Sequence, residues 1–195
     1  MKASIPFRLL TVTAILCLVP SGLLRADDNI AKNGDLQKAK EGTDWPEGWG
    51  KPKTGGTWGK EGDNRFISLK SEKPGEMVML YQEFAIPAGT EAVELSWKQR
   101  VTGLKKGTSP WFDARIMLEF SNADRAKMPS PPKAPNTAKD TSGWEEKKVS
   151  FLVPQYAAYL KFMPALFQVE AGTFDIDDVV IKKIDAASVK EPAKK

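Results

Sequence analysis

The chain has 195 residues and a formal net charge of +4, from 29 Lys and Arg against 25 Asp and Glu, with no histidine and a single cysteine, Cys17. Without imidazole, neither a Ser-His-Asp nor a Cys-His nucleophile system can be assembled, and a metal would be left with oxygen donors, hence calcium-like or magnesium-like ions. The charge is also too evenly balanced for nucleic acid, because no predicted face carries the basic excess that phosphate binding needs.

In chain order, Lys2 and Arg8 precede the apolar run 9–19, which ends at Pro20-Ser21-Gly22, the pattern of a secretory signal peptide. The run is shorter than the ~20 residues that a bilayer-spanning helix requires, so no membrane insertion is expected. Cleavage after Ala26 predicts a secreted or periplasmic protein. It removes Cys17 together with Lys2, Arg8 and Arg25, leaving a nearly neutral chain that holds its fold without disulfides. Residues 27–185 read as one domain, and 186–195 as a polar, disordered tail.

Within the domain, apolar and polar residues alternate with period two, the mark of strands that bury one face. Residues 93–101 are the clearest case, with Val93, Leu95, Trp97 and Val101 inward and Glu94, Ser96, Lys98 and Arg100 outward. Residues 114–120 repeat the pattern, with Arg115, Met117 and Glu119 outward. Further strands are expected over 66–69, 77–86, 144–153, 159–163 and 174–184, each bounded by Gly, Pro, Asn or Asp. No helical period lasts three turns, which predicts an all-β antiparallel two-sheet sandwich of the jelly-roll kind. The Gly- and Trp-rich stretch 45–59 and the Pro-rich stretch 128–143 read as loops.

The six tryptophans are many for a chain this size. A pyranose ring presents an apolar C–H face that stacks on indole while polar neighbours bond its hydroxyls. Trp45, Trp49, Trp58 and Trp111 lie in predicted loops, and read either as ligand contacts or as caps on the ends of the sandwich. Trp97 has core parity, and Trp144 anchors a strand. If strands 93–101 and 114–120 are neighbours, Lys98, Arg100, Arg115, Met117 and Glu119 form one charged strip, suited to hydroxyl or acidic-sugar recognition; the other reading is ordinary solvated surface. Paired carboxylates of a small glycosidase would have to come from Glu119 with Asp113, or from Asp175, Asp177 and Asp178.

Asn33-Gly34-Asp35-Leu36-Gln37 with Trp45-Pro46-Glu47-Gly48-Trp49, the central Leu95-Ser96-Trp97, and the closing run from Gly172 to Ile181 with its Asp177-Asp178-Val179 resemble, in order and spacing, CenC-like carbohydrate-binding modules. The resemblance implies a galactose-binding-like jelly roll and non-catalytic sugar binding, with an associated secreted enzyme or envelope protein as an additional partner. Trp45, Trp49, Arg100, Trp111, Arg115 and Glu119 are then the candidate ligand contacts. It also implies one structural calcium ion joining first and last strands, with Asp35, Asp177 and Asp178 as ligands. Gln37 stands where that family often has an acid, and Leu36 where it has an aromatic. The alternatives to sugar binding are a structural or protein-interaction domain of the cell envelope, and the small glycosidase.

Overall fold

A computed structural model describes residues 29–189; the expected signal peptide and the end of the expected tail lie outside the described residues. The tail read from Ala186 onward begins with one 3-10 turn, Ala186–Ser188, capped by Asp185, whose side chain accepts the Ala187 N–H.

Among the described residues ten strands follow in order: β1 Gly56–Glu61, β2 Asn64–Lys70, β3 Val78–Met79, β4 Gln82–Ala85, β5 Ala92–Lys105, β6 Ala114–Ser121, β7 Lys133–Thr137, β8 Glu145–Leu152, β9 Tyr159–Leu166 and β10 Ala171–Lys183. They form two antiparallel sheets. The first runs β1-β2-β10-β5-β8, and the second runs β3-β9-β6-β7 with β4 also on β9. The all-β sandwich read from the two-residue period is therefore the fold. Two strands lie where loops were expected: β1 inside the Gly/Trp-rich stretch and β7 inside the Pro-rich one.

The inward residues of the two sheets meet in one core. Trp97 of β5 is fully buried, and its ring packs edge-on against Phe162 of β9 at 6.2 Å between centroids. Its indole N–H donates to the Gln99 side-chain oxygen at 2.8 Å, and the Gln99 amide donates to the Thr137 hydroxyl at 2.6 Å. A buried polar pair is thus satisfied without water.

The N-terminal segment 29–50 is stitched across the core rather than hanging from it. Asn29 accepts the Ile181 N–H at 2.8 Å and donates to the Val179 carbonyl at 3.1 Å, beside the bulge that interrupts β10 between Asp177 and Val180. Gly34 runs so close to this bulge that a Cβ there would lie 1.9 Å from the Val179 carbonyl oxygen, so only glycine passes.

Candidate functional site

The expected strip from β5 to β6 does not exist. β5 pairs with β10 and β8, whereas β6 pairs with β9 and β7, so Lys98 and Arg100 lie on one outer face of the sandwich and Arg115, Met117 and Glu119 on the other. Sheet membership depends on where β8, β9 and β10 insert, a non-local fact that the period of a single strand does not carry.

Trp45, Trp49 and Trp58, expected in loops where their rings could stay exposed, are instead buried. Their indole N–H groups find backbone carbonyls: Trp45 donates to Trp49 at 3.1 Å, Trp49 to Asn33 at 2.9 Å and Trp58 to Leu36 at 3.0 Å. With that polar handle satisfied, each ring is free to fill the core, and Trp49 packs edge-on against Phe84 at 5.6 Å. Trp45 and Trp49 lie in a loop and Trp58 in β1, and none of the three rings is exposed for a ligand to stack on.

Arg100 is held on the outer face of the first sheet. Its guanidinium meets Asp175 at 2.7 Å and Glu61 at 2.6 Å, and lies 4.7 Å from the Trp144 ring centre. Asp175 is 4% exposed, so Arg100 neutralises a buried carboxylate and is not positioned as a free ligand contact. Hydrogen bonds from Arg100 and then from Trp144 hold the Glu61 carboxyl below its usual range.

The outer face of the second sheet carries Arg115 and Glu119, with Trp111 in the turn just before β6, beside further side chains from β3, β4 and β9. The strand register sets Glu119 opposite Lys161, Met117 opposite Met163 and Arg115 opposite Ala165, with Glu83 beside Lys161 and Met79 beside Ala165. The same register puts Tyr81, between β3 and β4, level with Met163. Tyr81 is 47% exposed and Trp111, in the turn before β6, is 60% exposed; Met77 is also exposed. A row from Tyr81 through Met163 to Met117 is therefore apolar, flanked by charge. The signal for this row was present in the outward parity of 77–86 and 159–163.

The charged side chains beside the row are fixed by one another. Glu119 receives Lys161 at 2.6 Å and Lys127 at 2.7 Å. Burial pushes its carboxyl up, but the two ammonium groups outweigh this and hold it below the usual range. Glu119 is thus poised as an anionic acceptor, whereas a general acid needs a raised value. Lys161 is raised by Glu119 and also lies 5.9 Å from the Tyr81 ring centre. Arg115 binds buried Asp113 at 2.6 Å, stacks 5.0 Å from Phe167 and donates to the Trp111 carbonyl. Arg115 therefore positions the turn that presents the Trp111 ring.

The carboxylates weighed as a glycosidase pair each face a basic or amide partner: Asp113 has Arg115 and Asn136, Asp175 has Arg100, and Asp177 has Asn64. A groove of about 1140 Å³ runs between the N-terminal segment and β4, lined in part by Lys38, Glu47, Gln82 and Glu83. None of the expected site residues lines it, and its one aromatic side chain, Phe84, is buried.

The three acids expected around calcium do not converge. Asp178 is bound to Lys98 at 2.8 Å, Asp177 accepts from Asn64 at 2.7 Å and from the Asp178 N–H at 2.7 Å, and the Asp35 carboxylate reaches only the Gln37 N–H, at 3.5 Å. Among the described residues no three acidic side chains form a metal-holding group. Burial pushes the Asp177 carboxyl up to about 6, against the pull of Asn64, the Asp178 N–H and Lys98 and with the push of Asp178. An acid raised in the folded state favours folding below its unfolded value and loses that contribution as pH rises through the folded one. Between pH 4 and 7, the melting temperature of the wild type should therefore fall relative to that of Asp177→Asn; parallel pH profiles would refute the shift.

No protein-family model matches the sequence, and no curated protein matches it either. Solved structures do share the fold. The enzymatically active domain of bacteriophage CBA120 tailspike protein 4 aligns over 80% of this chain at 15% identity and a TM-score of 0.55, and the aligned part is 22% of that tailspike chain. The CBM22-1 xylan-binding domain from Paenibacillus barcinonensis aligns over 78% of this chain and 93% of its own, at 13% identity and a TM-score of 0.50. A CBM4 module aligns over 78% and 98%, at 11% identity and a TM-score of 0.50. The class these likenesses define is an antiparallel β-sandwich with the fold of carbohydrate-binding modules. Among the described residues no helix is long and apolar enough to cross a membrane.

Proposed function

We propose that this chain is a secreted, non-catalytic carbohydrate-binding protein, taking a saccharide chain across the outer face of its second sheet. The observation that carries the reading is the apolar row Tyr81–Met163–Met117, with the exposed Trp111 at the Arg115 end and the Glu119–Lys161–Lys127 cluster alongside. Tyr81 and Trp111 supply flat apolar faces for sugar rings, and Glu119 and the two lysines supply acceptors and donors for hydroxyls. The folds of the xylan-binding domain and the CBM4 module support the reading, and the signal-peptide pattern of the sequence 1–26 supports secretion. An enzyme or envelope protein acting on the same polymer is the partner such a protein would serve.

The test is a glycan array followed by calorimetry on the processed protein. Tyr81→Ala and Trp111→Ala should each weaken saccharide binding by about tenfold, the worth of one lost stacking contact, while leaving the melting temperature in place because both rings are exposed. Full binding in the double variant would refute this site. A second reading, a protein-contact domain of the envelope, is favoured by the burial of Trp45, Trp49 and Trp58 and by the methionines of the face, which suit a protein partner. An array without saccharide binding would decide for it.

A further inference from the structure

The first turn of the described chain, the start of β2 and the bulge of β10 meet at one point, and a side-chain amide occupies it. Gln37 Nε2 lies 2.5 Å from the Asp35 carbonyl oxygen, 3.1 Å from Asn64 Oδ1 and 3.1 Å from the Arg65 carbonyl oxygen. Its Oε1 accepts the Arg65 N–H at 3.2 Å. Asn64 then passes the connection on, its Nδ2 donating to Asp177 Oδ2 at 2.7 Å. Three oxygens from two separate stretches of the chain, Asp35 in the first turn and the neighbours Asn64 and Arg65 in β2, thus converge on one donor nitrogen. Such convergence is what a cation requires, but calcium takes six to eight oxygens, usually with several carboxylates among them. Here the converging oxygens are neutral.

We infer that the Gln37 amide does the work of a structural cation, joining the first turn, β2 and β10 through the relay Gln37–Asn64–Asp177 and making the fold independent of calcium. The amide group fits the oxygen cluster by hydrogen bonding and carries no charge, so it needs no carboxylate to balance it. The calcium implied by the resemblance has lost its place to a side chain. The residue at position 37 therefore selects between two ways of closing the same junction. A carboxylate there faces the Asp35, Asn64 and Arg65 oxygens with only the Arg65 N–H to donate to it, so a cation is needed to offset the repulsion.

Thermal unfolding of the processed protein, in chelator and in about 5 mM calcium chloride, tests the inference at the millimolar end of structural calcium affinities. The wild type should melt at the same temperature in both, and calorimetric titration with calcium should give no binding heat. Gln37→Glu should melt lower in chelator and regain several degrees in calcium, because an ion bound only by the folded state stabilises it. Asn64→Asp places a carboxylate in the same cluster and should acquire the same response, which keeps the test open if Gln37→Glu fails to fold. A calcium-dependent rise in the wild-type melting temperature would overturn the inference. So would indifference to calcium in both folded variants, since the oxygens would then not share a centre. These readouts need no saccharide, and the outcome is separate from that of the binding face.

Discussion

Arg100→Ala should destabilise the protein by about 3 kcal/mol, the cost of leaving a buried carboxylate without its counter-charge. Asp175 is 4% exposed, and one of its two oxygens already has no hydrogen-bond partner, so Arg100 supplies its compensation. The same substitution strips the Trp144 and Phe66 rings of the guanidinium packed against them at 4.7 and 5.3 Å. Chemical denaturation measures the loss, and Arg100→Met with Asp175→Leu should recover most of it, because a matched apolar pair leaves no orphaned charge. Saccharide binding should be unchanged in any folded variant, since Arg100 is on the opposite face from Tyr81 and Trp111. A loss below about 0.5 kcal/mol, the range of ordinary surface substitutions, would show that water reaches Asp175.

Trp97→Ala should cost about 3–5 kcal/mol, at the upper end for core truncation. The ring is fully buried between the sheets against Phe162, and its removal also leaves Gln99 facing the Thr137 hydroxyl without its acceptor role filled. Trp97→Phe should recover part of the packing but not the hydrogen bond. Unfolding curves of the two variants separate these contributions. Equal stability of Trp97→Phe and wild type would mean that the indole N–H contributes nothing net.

The strands that a period of two exposes most clearly, β5 and β6, were readable with the correct inward residues, down to Trp97 in the core. What the alternation could not show is that these two strands belong to different sheets, which separates Arg100 from Arg115 and Glu119. β1 and β7 were hidden by composition: Gly56 and Gly59 in one and Pro135 in the other are poor strand formers, tolerated at β1 and β7 because both are edge strands. Gly59 has a further reason to lack a side chain, since Phe66 lies across it and a Cβ would come within 2.7 Å of the ring. The two readings of Trp45 and Trp49, contact or cap, stayed open for the opposite cause. Neighbouring Gly and Pro signal a loop correctly, but a loop whose indoles can reach carbonyls folds inward. Of the candidate ligand set, Arg115 and Glu119 share one face with Trp111 in the turn just before β6, and Tyr81 joins that face through a strand segment whose register only the folded chain reveals.

The second sheet ends at β7, whose five residues include Lys133 and Pro135. Proline has no N–H to lend an incoming chain, and an ammonium group on the same margin must be stripped of water before a strand can dock. Lateral growth of the sheet into a fibre or a swapped dimer is therefore blocked on that flank. On that flank the platform bearing Tyr81 keeps its width.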